Sequence, residues 1–190
     1  MRTWIVGWMM ALALSALGGP EARVAEIREW YAAIQGGKPS AERKVEFEAD
    51  DEPFSGTLVA RDYAGGLKAV TVSYVAGDHG GSDEHYYFKD GVLFFVFEVR
   101  HRWQFAPGGT PEQPRTEDTR TEVRYYFDAE TCIRQLQRSA SSDDAEKLPA
   151  ILAGLEQRAV EPGEEAERIR VRGGKLRGAD AADAVLAAFE

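Results

Sequence analysis

The sequence predicts an α+β protein: an N-terminal helix packed on a curved antiparallel β-meander, with a helical C-terminal extension. Three observations lead there. Apolar spacing is helical as far as Gly36-Gly37 and alternates from Lys44 onward; short Gly-, Pro- and Asp-rich turns separate the alternating runs; and after Ser141 the chain turns rich in Ala and Glu. At 190 residues, 44% hydrophobic and 29% charged, the chain can bury a core without staples.

Taken in order, residues 1–18 read as a signal peptide. Arg2 supplies a positive start, Thr3 to Leu17 is apolar, and Ala16 and Gly18 are the small residues a cleavage site requires. The apolar run falls short of the ~20 residues of a membrane span, and no cysteine follows it to carry a lipid. The mature chain is therefore expected to begin near Gly19, to be exported to the periplasm or secreted, and to have no stable membrane span.

PEARVAEIREWYAAIQGG is a helix with Val24, Ile27, Tyr31 and Ile34 on one stripe, Pro20 at its start and Gly36-Gly37 at its end. KVEFEA, GTLVARDY and LKAVTVSYVA alternate as strands. GDHGGS reads as a loop. HYYFK and VLFFVFEVRHRWQF then form a hairpin about Asp90-Gly91, a strong two-residue turn signal. APGGTPEQPRTE reads as a mobile loop, and EVRYYF with CIRQLQRS as a last hairpin. These elements make a domain over 19–139. The extension, 140–190, holds a helix in SSDDAEKLPAILAGLEQRAV with Asp143 as N-cap and its start placed as late as Leu148 by Pro149. A linker EPGEEAE, a strand RIRVRGG and a terminal helix ADAADAVLAAFE follow.

The triplet Tyr-Tyr-Phe occurs twice, at Tyr86-Tyr87-Phe88 and Tyr125-Tyr126-Phe127. Pairing the first hairpin about its turn sets Tyr87 opposite Phe94 and His85 opposite Val96. One face then carries Tyr86, Phe88, Phe95 and Phe97 as core. The other carries Tyr87, Phe94, Glu98, Arg100 and Arg102, apolar at the turn and charged further out. The outer aromatics of each triplet pack inward, as cross-strand pairs do. The middle ones, Tyr87 and Tyr126, are the candidate platforms for a flat, sugar-like ligand.

IREWYAAI, HYYFKDGVLFFVFE and VRYYFDAETCIRQLQ together resemble a group of uncharacterised exported bacterial proteins. In these a helix I-R-x-x-Y-x-x-I precedes Y-Y-F and R-Y-Y-F hairpin motifs. The resemblance runs from about Val24 to Arg138 and implies no particular activity, cofactor or site residue. The second copy departs from the first at Glu130, where the first has a glycine.

The formal charge of −9 sets the chain against nucleic acid and anionic lipid surfaces. Asp78, His79, Ser82 and Asp83 are the residue types of a hydrolytic triad, yet they are neighbours in one Gly-rich turn, whereas triad members converge from separate elements. His85 and His101 fall on opposite faces in the register above and so share no metal. Cys132, the sole cysteine, reads as a small buried hydrophobe with no disulfide. Arginines on the last strands, interleaved with acids, form either a solvated face or a guanidinium-lined concavity for an anion. The expected role is therefore non-catalytic: an exported domain that binds a protein partner or a small, anionic ligand in the cell envelope. Tyr87, Arg100, Arg102 and Arg124 are the ligand-binding candidates, and no cofactor or metal is implied. The alternatives are a hydrolase using the Asp78-His79 loop, and a cystatin-like inhibitor or assembly module.

Overall fold

The computed structural model describes residues 19–190 apart from His79 and Pro111, so the signal-peptide segment lies outside the described residues. Helix α1 (Pro20–Gly36) starts on Pro20, whose missing N–H costs nothing in a first turn, and buries Val24, Ile27 and Ile34. Strands β1 (Ala41–Glu48), β2 (Phe54–Tyr63), β3 (Leu67–Ala76), β4 (Gly80–Lys89), β5 (Val92–Ala106), β6 (Arg115–Asp128) and β7 (Thr131–Ser142) follow. After them come α2 (Leu148–Ala153), the short β8 (Arg158–Val160), α3 (Glu164–Leu176) and α4 (Ala182–Leu186). Among the described residues, no helix is long and apolar enough to cross a membrane.

All eight strands lie in one open sheet in the order of the sequence, each antiparallel to the next. The expected meander is thus present, but helices cover both of its faces. On one face α1 packs over Ala69, Tyr87, Phe94, Phe95 and Tyr126. On the other, Ala166, Ile169 and Leu176 of α3 and Val185 of α4 pack over Val72, Tyr86, Phe88, Val96 and Tyr125. Phe189, just beyond α4, lies against Phe47, Phe54 and Tyr74 of the first three strands. The segment after Ser141 therefore closes the larger of the two cores.

Both Tyr-Tyr-Phe hairpins contain the same irregularity. Phe88 pairs with Leu93 but Tyr87 pairs with Phe95, which leaves Phe94 as an extra residue. Likewise Phe127 pairs with Cys132 and Tyr126 with Arg134, leaving Ile133 unopposed. Each is a β-bulge, and consecutive bulge residues turn to the same side, as Phe94 and Phe95 both do toward α1. The expected pairing of Tyr87 with Phe94 is wrong by this one residue, and every β5 side chain beyond it changes face. The turns differ as well. Asp90 and Gly91 both have positive φ (49° and 83°), whereas in the second turn Ala129 takes a φ of 49° at the position of Asp90.

Four other expectations need correction. RIRVRGG is helical, not a strand: Ile169 is fully buried while Val171 is 44% exposed, so only one of the two apolar residues in the Ile-Arg-Val-Arg alternation faces inward. Gly173 lies there against the Tyr86 ring. The Pro/Gly-rich loop is shorter than expected, because β6 already begins at Arg115. GDHGGS is not wholly a loop, since Gly80 to Ser82 already pair in β4. Asp144, not Asp143, is the cap: it accepts from the Glu146 N–H at 3.1 Å, and a short 3-10 turn leads into α2 at Leu148.

Candidate functional site

Beyond the N-terminal turns of α3 the sheet face that this helix covers turns polar, and there a cleft of about 600 Å³ opens. Ser82, Glu98, Arg100, Arg102, Thr119 and Thr121 form its floor, and Glu165, Arg168 and Arg172 of α3 its wall. Alternation along β5 brings Glu98, Arg100 and Arg102 to this one side. Two hydroxyl pairs extend the floor across β6 and β7, Thr119 with Ser141 and Thr121 with Ser139, each at 2.8 Å.

At the inner end, where polar floor meets apolar core, Glu84 and Glu98 are directly opposed across β4 and β5. Glu84 is wholly buried and Glu98 only 3% exposed. Like charges opposed in a sheet are unfavourable, and buried carboxylates need partners. Both are supplied with them. Glu84 accepts hydrogen bonds from Tyr74 (2.9 Å), Tyr86 and Arg172 (2.6 Å). Glu98 takes a fork from Arg100 at 2.6 and 2.8 Å, together with the Tyr125 hydroxyl at 3.0 Å. Burial lifts the Glu84 carboxyl above its ordinary value against the pull of Arg172, and the charge of Glu98 adds to the lift. Burial and the neighbouring carboxylates likewise raise the Tyr74 and Tyr125 hydroxyls, which stay neutral donors.

Glu165 completes the network, accepting from Arg100 at 3.1 Å and Arg168 at 2.6 Å. The carboxylates of Glu84, Glu98 and Glu165 thus meet the guanidiniums of Arg100, Arg168 and Arg172. The cleft contains one more cation, Arg102, which is exposed and among the described residues has no carboxylate partner. The cleft thus carries an excess of guanidiniums and a row of hydroxyls, donor types that can pair with an anion, in a protein of net charge −9.

The four residues singled out in the sequence do not form one site. Arg100 and Arg102 share this cleft. Tyr87 lies on the opposite face, 6% exposed, its ring edge-on to Tyr31 at 5.1 Å and stacked near Phe95 at 5.7 Å. Tyr126 is also buried under α1, so neither middle tyrosine stands on an exposed face of the sheet. Arg124 is on the α1 face too, its guanidinium 4.6 Å above the Phe97 ring. The bulge at Phe94 explains the split, because it reverses Arg100 and Arg102 relative to Tyr87.

The loop proposed for hydrolysis is divided between faces as well. Ser82 is buried and donates to the Val99 carbonyl at 3.1 Å. Asp83 points the other way and lies 3.3 Å from His101 Nε2, a contact that holds its carboxyl down at about 2. The Asp78 carbonyl accepts from the Trp103 indole at 2.8 Å, and His79 lies outside the described residues. His85 and His101, expected on opposite faces, share one after the bulge. His85 sits 3.2 Å from Thr71 Oγ1 and stacks on Phe97 at 5.9 Å. Among the described residues no group of three or more His, Cys, Asp or Glu side chains is placed to hold a metal ion.

Sequence reasoning missed Glu84, Glu98 and Arg172. Glu84 did carry a signal: it is a charged residue at an inward position, two before Tyr86, in an otherwise apolar alternation. Glu98 was masked by the bulge, and Arg172 by the reading of its segment as a strand. No protein-family model matches the chain, and neither curated proteins nor solved structures give a match.

Proposed function

We propose that the protein is an exported, non-catalytic binding domain of the cell envelope that takes a small polar anion, such as a carboxylate-bearing sugar, in the cleft between α3 and the sheet. Export is supported by Arg2, the apolar run to Leu17 and the small residues that follow, and by the resemblance to exported bacterial proteins. The observation that carries the binding reading is Arg102, a guanidinium that has no carboxylate partner among the described residues, beside Thr119 and the Arg100 fork. Glu84 and Glu98 lie beneath this floor, saturated by tyrosines and arginines, and serve to orient Arg100 and Arg172 toward the cleft.

The test is calorimetric titration of the purified protein with glucuronate, galacturonate and citrate, with glucose as neutral control. Saturable binding of an anion but not of glucose is expected, lost in Arg102→Ala with the melting temperature unchanged. Equal response to glucose, or full binding by the variant, would refute the assignment.

A further inference from the structure

A second pocket lies on the opposite face of the sheet, under α1. It has a volume of about 280 Å³ and is lined by Ile27, Arg28, Tyr31, Phe97, Arg124 and Tyr126, with Phe95 at its floor. Its walls are aromatic and aliphatic, and its two charged residues are both arginines. Among the described residues no carboxylate is in the lining.

The two arginines are poorly neutralised. Arg28 is exposed on α1 and among the described residues has no carboxylate partner. Arg124 shares Glu122 with two competitors. Arg138 takes that carboxylate at 2.7 and 2.8 Å, while Arg124 is left at 3.7 Å and Arg120 at 3.6 Å. Glu122 is buried, so one desolvated carboxylate answers three guanidiniums. Among the described residues Arg124 gains in addition the Gln157 amide oxygen, once that amide is turned toward it, and the Phe97 ring face. Burial and the charge of Arg138 both act to lower its affinity for a proton. An anion entering the pocket would relieve that excess of positive charge in surroundings where charge-assisted bonds are strong.

The volume sets the other half of the ligand. A benzene ring fits a cavity of ~150 Å³, so this pocket has room for one ring and a short acidic arm. From these features we infer that the α1 face is a binding site for a small aromatic or aliphatic carboxylate, its apolar body between Tyr31, Phe95 and Tyr126 and its carboxylate on Arg124 with Arg28. This site is separate from the polar cleft, which lies across the sheet and suits a hydroxylated ligand.

The experiment uses phenylacetate as probe, phenethylamine as the cation of matched shape, and 15N-detected NMR titration of the protein. Phenylacetate is expected to saturate with shifts on α1 and on β5–β6 around Phe97 and Arg124, leaving Thr119 and Ser141 undisturbed. Arg124→Gln is expected to weaken binding by about tenfold or more, in line with loss of a charged hydrogen bond. Arg28→Gln, at an exposed helix position where folding is not at stake, is expected to weaken it several-fold. Phenethylamine binding equally well, the same affinity in both variants, or shifts confined to the Thr119–Ser141 floor would each overturn the inference. Failure of glucuronate in the other cleft would leave it standing, because the two probes report on different faces.

Discussion

Glu84 and Glu98 oppose each other across β4 and β5 with almost no solvent on either, Glu84 held by two tyrosine hydroxyls and Arg172, Glu98 by one tyrosine hydroxyl and Arg100. Separate donor sets let two buried carboxylates occupy neighbouring positions, so the pair fixes Tyr74, Tyr86, Tyr125, Arg100 and Arg172 at once.

Stability is expected to fall with rising pH on account of Glu84. Burial raises this carboxyl above its ordinary 4.5, so the folded state holds the proton more tightly than the unfolded chain does. That contribution is fully present below the ordinary value and is lost as pH rises through the folded one. Melting curves between about pH 4 and pH 8 should show the decline in the wild type and a flatter profile in Glu84→Gln. Identical slopes would mean that the folded and unfolded chains bind the Glu84 proton equally.

Asp83 has the opposite sign. The hydrogen bond from His101 holds it at about 2, below its ordinary 3.8, and stability from that contact disappears as pH falls through the folded value. Carboxyl-carbon NMR titration should place Asp83 near that value in the wild type. In His101→Ala it should move up toward ~3.9; an unmoved titration would assign the shift to some other neighbour.

Two adjacent glycines of α3 should respond in opposite directions. A Cβ on Gly173 would come within 2.7 Å of the buried Tyr86 ring, whereas one on Gly174 meets nothing within 4 Å. Gly173→Ala should cost about 1–3 kcal/mol through overpacking, and Gly174→Ala should add up to ~1 kcal/mol through helix propensity. Urea denaturation of the two variants gives the comparison. Equal effects would mean that α3 slides freely over Tyr86.

Cys132 should be sluggish. Burial lifts its thiol above the ordinary value, the thiol donates to the Arg134 carbonyl at 3.4 Å, and the side chain packs on the core beneath α3. A disulfide reagent at neutral pH should modify it many times more slowly in the native protein than in urea. Comparable rates would show that the second hairpin opens readily.

The α1 helix and the meander were legible in the sequence because their signals are local: a stripe at Val24, Ile27 and Ile34, and Asp90-Gly91 between alternating runs. The bulges were not. An extra residue at Phe94 leaves composition and alternation almost intact, since Phe94 and Phe95 suit an apolar face equally, yet it decides whether Arg100 joins Tyr87 or Glu84. The candidate cleft inherited that ambiguity, and its wall came from α3, whose Ile169-Arg170-Val171-Arg172 alternation imitates a strand. Tyr87 was legible as opposed to its two aromatic neighbours, but not as covered, because α1 packs there only through tertiary contact.

Phe189 gives the clamp on β1, β2 and β3 a consequence in time. Phe47, Phe54 and Tyr74 leave the ribosome early and can pack on one another, but the ring that covers all three arrives only with the segment bearing Phe189. Until then the apolar faces of the first strands stand open and α4 has not docked on β1. Contacts so distant along the chain slow the search for the native state. The nascent chain therefore passes through a long interval with a sticky, half-dressed sheet, a substrate for holding chaperones well before it is a folded protein.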